Sequence, residues 1–176
     1  MESLNGTEKV KMIVSDLIDF SREEKPEMKL TKINDGIEKI LNVVWNELKY
    51  KAEVIKEFGD IPEIECDIHR LSQVFMNILV NAAQAIEKQG KITIKTSAEN
   101  NFVIIKISDT GKGIPGEYIS KIFDAFYTTK EPGKGTGLGL SISYKIIHEH
   151  NGTIDVESEV GKGTTFTIKL PAKKSD

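Results

Sequence analysis

Glycines at every second position lead directly into a predicted helix, and this pattern indicates chemistry most clearly. Gly133, Gly135, Gly137 and Gly139 alternate along the chain and run into an apolar helical pattern over about 138–150. The free N–H groups and the positive dipole end of a helix N-terminus bind anions, and glycines let the backbone approach a ligand closely. No Gly-Lys-Ser/Thr closes the pattern as in a Walker A loop, and no strand leads straight into it as in the dinucleotide fingerprint. It therefore predicts a phosphate-binding segment of another kind.

An acidic residue at the end of a predicted strand is the second candidate. Asp109 closes the strand predicted over 102–108 and is followed by Gly111 and Gly113. A carboxylate in this position can accept a hydrogen bond from the exocyclic amine of a base, and the glycines would let the backbone approach that base. The same pattern also suits a capped turn without a ligand, so this motif alone leaves both interpretations open.

Two asparagines form the third candidate. Asn77 and Asn81 lie one turn apart on one face of a long predicted helix. Two amides in an otherwise apolar helix are costly to bury unless they find partners. Those partners are either neighbouring loops or a Mg²⁺ ion or phosphate, because amide oxygens are hard ligands. The spacing does not decide between the two.

An aromatic segment stands between the acidic motif and the alternating glycines. Phe123, Phe126 and Tyr127 lie within residues 122–130. Aromatic residues beside a glycine-rich loop suit a hinge that packs down when a ligand arrives. Lys130 could then supply a positive charge to a terminal phosphate. Simple solvation of its ammonium group is the alternative.

The elements that would position these motifs alternate between strands and helices early in the chain and form hairpins late. An amphipathic helix is predicted over 1–23 and is ended by Pro26. The other predicted elements are a strand over 28–33, a helix capped by Asn34 or Asp35 and running to about Lys49, strands over 52–58 and 62–66, a helix from Asp67 to about Lys88 ended by Gly90, strands over 91–96 and 102–108 around a turn at Glu99–Asn101, a mostly irregular segment over 109–136, and strands over 153–158 and 164–170 around a turn at Gly161–Gly163. This order predicts a mixed sheet with helices packed on one face, in two layers.

Composition narrows the class of protein. The 176 residues can bury a proper core, and 39% hydrophobic and 29% charged residues suit a globular protein. The net charge of −3 without a Lys/Arg cluster argues against a nucleic-acid surface. The lone Cys66 excludes an intrachain disulfide and is predicted to lie buried in a strand. Without a bilayer-length apolar run or a signal-peptide pattern, we expect a cytoplasmic chain whose parent could still be membrane-anchored.

Together the motifs resemble one family in order and spacing. Asn77–Ala82 is similar to its N box, Asp109–Ile114 to the G1 box, Ile122–Lys130 to the F box, Gly135–Ser141 to the G2 box, and Gly161–Thr164 to a final glycine turn. The chain thus resembles the catalytic domain of sensor histidine kinases, within the group that includes gyrase, mismatch-repair and heat-shock chaperone ATPases.

The resemblance covers about residues 28–171. The opening helix is similar to the second helix of the family's dimerisation hairpin. The resemblance thus divides the chain into two parts. Residues 1–25 would belong to that hairpin, and residues 26–176 would form a catalytic ATP-binding domain.

The resemblance implies an α/β two-layer sandwich with a mixed sheet, about three helices on one face and a mobile ATP lid. It implies ATP and Mg²⁺ as cofactors, with Asp109 on the adenine amino group, Asn77 and Asn81 at the metal and phosphates, and Lys130 near the γ-phosphate. Asn77, Asn81 and Lys130 would be the catalytic residues. The full set of implied cofactor-binding residues is Asn77, Asn81, Asp109, Gly111, Gly113, Ile114, Phe126, Thr128, Thr129, Lys130, Gly135, Thr136, Gly137, Leu138, Gly139, Leu140, Ser141 and Thr164.

Two departures from the wider group shape the expected reaction. Its ATPases carry a water-activating Glu one turn before the metal-binding Asn, and here that position is Asn77. Direct hydrolysis should therefore be poor, and transfer to an acceptor is favoured. The family's acceptor histidine lies in a helix that would precede this chain, and we interpret His69, His148 and His150 as structural or surface residues.

The implied partners are the acceptor-histidine helix of the parent protein, a response-regulator receiver domain, and a second copy in the full-length parent. We expect the chain itself to be a monomer or weak dimer. The competing hypotheses are an ATPase, a protein serine kinase of the same fold, and a nucleotide-responsive interaction module.

Overall fold

The structure is a computed structural model that describes residues 26–131 and 135–172. In chain order its elements are β1 (Lys29–Thr31), α1 (Ile33–Leu48), β2 (Ala52–Phe58), β3 (Ile64–Cys66), α2 (Ile68–Ala85), β4 (Gly90–Glu99), β5 (Phe102–Asp109), α3 (Gly116–Ile119), α4 (Gly139–Glu149), β6 (Thr153–Glu159) and β7 (Gly163–Pro171). The helix predicted over 1–23, and with it the proposed first domain, lies outside the described residues. No helix among those described has the length and apolar character needed to cross a bilayer.

A mixed sheet forms one layer of the fold. Within the described residues its five strands follow the order β2-β4-β5-β7-β6, while β1 and β3 form a separate antiparallel pair. Strand β2 runs parallel to β4, and the other neighbours are antiparallel. Asn100 and Asn101 have φ angles of 51° and 66° in the β4–β5 turn, as a tight hairpin requires. The hairpin predicted around Glu99–Asn101 is therefore confirmed.

Helices α1, α2 and α4 pack on one face of this sheet. The side chains of Ile94, Ile105 and Ile168 alternate inward along three neighbouring strands and are fully buried against helix residues such as Leu71 and Phe75. Cys66 belongs to the same core at 1% exposure, as its alternation with Ile64 predicts. The predicted two-layer α/β sandwich with about three helices on one face is confirmed.

The opposite face of the sheet, which we call the outer face, is polar. Ion pairs between neighbouring strands join Lys91 to Glu53 at 3.8 Å and Lys95 to Glu57 at 3.3 Å. These charged side chains remain in water, and exposed pairs of this kind contribute little to stability.

The start of α1 differs from its prediction. The helix begins at Ile33 after Lys32, which makes no side-chain cap, so the prediction that Asn34 or Asp35 caps it is wrong. The Asn34 amide instead donates to the Gly59 carbonyl at 3.1 Å and accepts from the Thr96 hydroxyl at 2.9 Å. Asn34 thus joins the helix to the ends of β2 and β4.

Helix α2 begins as predicted and ends early. The Asp67 carboxylate accepts from the N–H groups of His69 and Arg70 at 3.1 and 3.2 Å, which confirms the cap. The helix ends at Ala85, before the predicted Lys88. Gly90 does not terminate it but starts β4, because its N–H donates to the Lys51 carbonyl at 3.0 Å. The segment predicted as irregular over 109–136 contains the single-turn helix α3.

Candidate nucleotide-binding site

Asp109 lies at the end of β5, on the helical side of the sheet. Its carboxylate is 8% exposed and accepts a hydrogen bond from the Gly111 N–H at 2.7 Å and another from the backbone N–H of Thr164. Thr164 is its direct cross-strand partner on β7, and Ser158 on β6 is the next partner across. We call Asp109, Thr164 and Ser158 the carboxylate end of the site.

Burial dominates the ionisation of Asp109. Loss of solvent raises the pKa of its carboxyl above the usual value, and the hydrogen bonds from Gly111 and Thr164 only partly oppose this. A carboxylate held in a partly desolvated place forms a strong hydrogen bond with an incoming N–H donor. The residue therefore has the position and chemistry expected of a group that recognises an amine.

Close backbone approaches fix the loop after Asp109. A Cβ on Gly111 would lie 2.6 Å from the Ala85 carbonyl oxygen, and the neighbouring Lys112 N–H donates to that oxygen at 2.9 Å. Gly163 has a φ of 122°, and a Cβ there would overlap the carbonyl of Asp109. Both glycines therefore allow contacts that a larger residue would exclude.

The start of α4 is attached to α2 through Asn77. Its side-chain amide donates to the Gly139 carbonyl at 3.0 Å and lies 3.4 Å from the Ser143 hydroxyl. Gly139 is the first residue of α4, so the asparagine-bearing helix holds the N-terminus to which the alternating glycines lead. The Asn77 amide donors are used in this contact, which leaves its carbonyl oxygen as the atom suited to a cation or to water.

Asn81 faces a cation in the structure. The Lys130 ammonium donates to the Asn81 Oδ1 at 3.1 Å and to the Gln84 Oε1 at 2.5 Å. Partial burial and the nearby charge of Lys112 lower the pKa of Lys130. Two amide oxygens that jointly hold a positive charge have the donor chemistry that Mg²⁺ prefers. We call Asn77, Asn81, Gln84, Lys130 and the segment Gly135–Gly139 the amide end of the site.

The segment over the amide end is shaped by two unusual backbone conformations. Phe126 and Gly137 have φ angles of 66° and 69°, and the Phe126 N–H donates to the Gly137 carbonyl at 2.9 Å. A Cβ on Gly137 would overlap the Phe126 backbone. The Phe126 ring is 63% exposed. The aromatic segment and the glycine segment therefore contact each other directly.

The remaining predicted residues lie along the same two segments. Thr128 accepts from the Lys130 N–H at 3.1 Å, and Thr136 accepts from the Leu138 N–H at 3.3 Å. Ser141 donates to the Leu138 carbonyl at 2.9 Å, so its hydroxyl is used inside the first turn of α4. Ile114 donates its N–H to Ser158 at the carboxylate end. Thr129 is exposed, Leu140 is partly buried, and the Leu138 side chain lies in the core, which leaves its backbone for a ligand.

Three residues near the site escaped the sequence analysis. Gln84 shares the Lys130 ammonium with Asn81, and its position three residues later on the same helix is the signal that could have found it. Lys112 lies close enough to Lys130 to affect its pKa. Ser158 joins the carboxylate end only through the register of β6 on β7, which no local pattern reveals.

The three histidines lie apart from any acceptor arrangement. His150 is 4% exposed; its Nε2 accepts from the Asp67 N–H at 3.0 Å and its Nδ1 lies 2.7 Å from the Ile146 carbonyl. His69 and His148 are exposed, and His148 stacks on Tyr144. Their interpretation as structural or surface residues agrees with these positions.

Comparison with known proteins identifies the family. The family described as histidine kinase-, DNA gyrase B-, and HSP90-like ATPase matches residues 66–174. The sensor kinase CckA of Brucella abortus is 38% identical over 90% of this chain, and the sensor histidine kinase ZraS of Escherichia coli is 34% identical over 93%. The chain spans only 18% and 35% of the lengths of these two relatives.

Solved structures agree with the sequence relatives. The catalytic domain of histidine kinase ThkA is 33% identical, with a TM-score of 0.75 over 83% of this chain and 96% of that one. ThkA in complex with the response regulator protein TrrA is 29% identical, with a TM-score of 0.81 over 97% of this chain and 49% of that one. The chain therefore belongs to the histidine kinase-, DNA gyrase B-, and HSP90-like ATPase family, as an ATP-binding catalytic domain of the histidine kinase type.

Proposed function

We propose that this chain is the ATP-binding catalytic domain of a two-component sensor histidine kinase, which transfers the γ-phosphoryl group of Mg·ATP to a histidine outside the chain. The observation that carries the proposal is the arrangement of the two ends of the site around the last turn of α2. Asn81 and Gln84 lie on that turn, and Ala85, which follows them, accepts the backbone N–H of Lys112 in the loop after Asp109. A nucleotide could thus contact Asp109 with its base while its phosphates meet the amide oxygens.

The amide end would act by positioning and by charge. Phosphoryl transfer needs little covalent chemistry from the protein, because alignment and stabilisation of the phosphate charge dominate. Asn81 and Gln84 would offer oxygens to Mg²⁺, together with the side-chain carbonyl of Asn77. Among residues 26–131 and 135–172, no group of three or more His, Cys, Asp or Glu residues could hold a metal ion. Mg²⁺ would be bound jointly by amide oxygens and the nucleotide phosphates.

Lys130 would exchange partners when the nucleotide enters. Its ammonium occupies the side of Asn81 and Gln84 where the metal would lie. Binding of Mg·ATP would displace it, and a phosphate oxygen is a natural new partner for an ammonium group. Lys130 is thereby proposed to reach the terminal phosphate, as the resemblance implies.

Asn77 favours transfer over hydrolysis. Its amide donors hold the Gly139 carbonyl, and a neutral amide cannot take a proton from water as a carboxylate can. The same position would suit a general base if it held Glu. The acceptor is proposed to be the histidine of a helix in the parent protein, and the phosphohistidine would pass its phosphoryl group to a response-regulator receiver domain.

The same proposal has four further parts. They are a response-regulator partner, a homodimeric parent, the assignment of residues 1–25 to the dimerisation hairpin, and a cytoplasmic location. The complex of the kinase ThkA with the response regulator TrrA supports the receiver-domain partner, because ThkA is similar to this chain over 97% of the length of this chain. A catalytic domain that contains no acceptor histidine depends on such a parent for its substrate.

Titration with a fluorescent ATP analogue and Mg²⁺ tests the proposal. The intact chain should bind the analogue, and Asp109→Asn should bind it about a hundredfold more weakly, because a charge-assisted hydrogen bond to the base is lost. Asp155→Asn is the matched control, since Asp155 is an exposed carboxylate on the outer face of β6. Equal affinities of the three proteins would refute a base contact at Asp109.

A second assay separates the enzyme from its alternatives. A purified histidine hairpin from the parent protein should acquire acid-labile phosphate from γ-labelled ATP in the presence of the intact chain, while release of free phosphate stays low. Rapid phosphate release without an acceptor would favour an ATPase. Acid-stable phosphate on serine would favour a serine kinase, and binding without either product would favour an interaction module.

A further inference from the structure

Ser158 is the one residue of the carboxylate end that the resemblance did not assign. It lies on β6 beside Thr164, and three polar atoms surround its hydroxyl oxygen. The Ile114 N–H donates to it at 2.8 Å, the Gly163 carbonyl oxygen lies at 2.9 Å, and the Thr164 hydroxyl lies at 2.9 Å. A serine hydroxyl has one proton and two lone pairs, so these three contacts use it completely.

The direction of each bond follows from this count. A carbonyl oxygen cannot donate, so the contact with Gly163 requires the proton of Ser158. The short contact between the two hydroxyls must then be made by the proton of Thr164, which points to the Ser158 oxygen. The opposite arrangement would leave Ser158 facing the Gly163 carbonyl at 2.9 Å with no proton between two oxygens, which is unfavourable.

We propose that Ser158 is a positioning residue that directs the proton of Thr164 away from the site and so sets the preference for adenine over a base with a carbonyl at the same position. The Thr164 hydroxyl then has only lone pairs to offer, and its cross-strand partner Asp109 carries a carboxylate, which is also an acceptor. An exocyclic amine can donate to this pair of acceptors, whereas a carbonyl oxygen would meet lone pairs and leave buried groups unpaired. This inference rests on the proposed nucleotide site.

Removal of the Ser158 hydroxyl would release the Thr164 proton. In Ser158→Ala the Thr164 hydroxyl could rotate and point its proton into the site. It could then donate to the carbonyl of a base, which the intact site disfavours. We expect the variant to bind ATP about tenfold more weakly, as for a lost buried hydrogen bond. Its preference for ATP over inosine triphosphate, which carries a carbonyl in place of the amine, should fall about fivefold or more.

The chain offers a matched control on the other side of β7, one residue after Thr164. Ser108 and Thr165 form a hydroxyl pair at 2.8 Å between β5 and β7, but on the outer face of the sheet. Ser108→Ala removes the same kind of bond without reaching the site. It should leave the ratio of ATP to inosine triphosphate affinity unchanged.

The experiment measures both affinities by competition with a fluorescent ATP analogue and Mg²⁺, using the 176-residue chain. Thr164→Val should lower the ATP preference without removing the Ser158 bonds to Ile114 and Gly163, so it tests the same proton if Ser158→Ala fails to fold. Ser158→Thr, which keeps the hydroxyl, should retain the preference. Adding Ser158→Ala to Thr164→Val should change the ratio no further, because the effect of Ser158 runs through Thr164.

Equal weakening of both nucleotides in Ser158→Ala, or a further change of the ratio in the double variant, would overturn the role of Ser158 and leave the nucleotide site intact. An unchanged ratio in Thr164→Val would do the same. Failure of the intact chain to bind ATP at all would instead overturn the proposed function, and this inference with it.

Discussion

The carboxylate end and the amide end of the site are built in different ways. At the carboxylate end, Asp109, Thr164 and Ser158 lie side by side on three hydrogen-bonded strands. The hydroxyls of Ser158 and Thr164 are 2.9 Å apart, and bonds of 2.7–2.9 Å hold Asp109 and Ser158 to the neighbouring backbone. At the amide end, Asn81 is held by the side chain of Lys130, which extends from the exposed segment before the alternating glycines. In the proposed function, the groups that would recognise the base are therefore already held by the sheet, whereas the phosphate contacts would require Lys130 to exchange partners.

A substitution at the carboxylate end should be the most damaging. In Gly163→Ala the new Cβ would overlap the Asp109 carbonyl at a φ of 122°, so the turn could not keep its place beside β5. We expect a loss of about 3 kcal/mol or more in the free energy of unfolding, measured by denaturant titration.

Gly161→Ala is the matched control for this change. Gly161 also has a positive φ, of 81°, but a Cβ there would meet nothing within 4 Å. It should cost only about 1 kcal/mol, the ordinary penalty of a left-handed residue with a side chain. Equal losses in both variants would show that backbone conformation alone, and not the contact with Asp109, makes the turn rigid.

Asn81 tests whether the amide end depends on the metal. Asn81→Ala removes one of the two amide oxygens that hold Lys130 and, in the proposal, Mg²⁺. We expect about a tenfold loss of ATP affinity with Mg²⁺ present, and a much smaller loss in EDTA. Calorimetric titration in both buffers gives the comparison. A loss of the same size in EDTA would mean that Asn81 contacts the nucleotide or supports the helix without the metal.

Lys130 tests whether the exchange of partners reaches the terminal phosphate. Lys130→Met keeps much of the apolar stem and removes the charge, so ATP should bind about threefold to tenfold more weakly while ADP changes less. Lys106→Met, on the exposed outer face of β5, is the control and should change neither affinity. If ATP and ADP lose the same factor, Lys130 acts on another part of the nucleotide.

Features set by local sequence can be predicted, whereas features set by distant partners cannot. Elements and core positions come from local periodicity, and the Asp67 cap and the Asn100–Asn101 turn are local chemistry, so all of these are predictable. The residue type of Asn34 suggests a helix cap, but its side chain bonds to Gly59 and Thr96 instead. These partners lie 25 and 62 residues away, so local sequence cannot reveal them.

The site shows the same limit. The glycine and aspartate motifs identify its position, because their residue types are required by backbone geometry and by charge. Ser158 and Gln84 have no such signature. Ser158 gains its role from the strand register, and Gln84 gains its role from a lysine 46 residues later in the chain. Partners of this kind depend on tertiary packing, which local patterns do not encode.

The ionised carboxylate of Asp109 is held at a cost in free energy, and this cost depends on pH. Burial raises the pKa of Asp109, so its contribution to stability is fully present below the unfolded value of about 3.9 and is lost as the pH rises through the raised folded value. The intact chain should therefore gain stability relative to Asp109→Asn as the pH falls from 7 to 4. Denaturant titrations of both proteins at each pH give the difference.

Asp67 supplies the opposite case for that measurement. Burial acts to raise the pKa of Asp67 as well, but the N–H groups of Glu27, Arg70 and His69 outweigh it and lower the pKa. Its stabilisation is therefore present above about pH 3.9 and is lost only as the pH falls through its lower folded value. The difference between the intact chain and Asp67→Asn should stay constant down to about pH 4 and then shrink. If Asp109→Asn followed the same course, its carboxylate would be stabilised by the fold, and the carboxylate end would not be poised for a donor from a ligand.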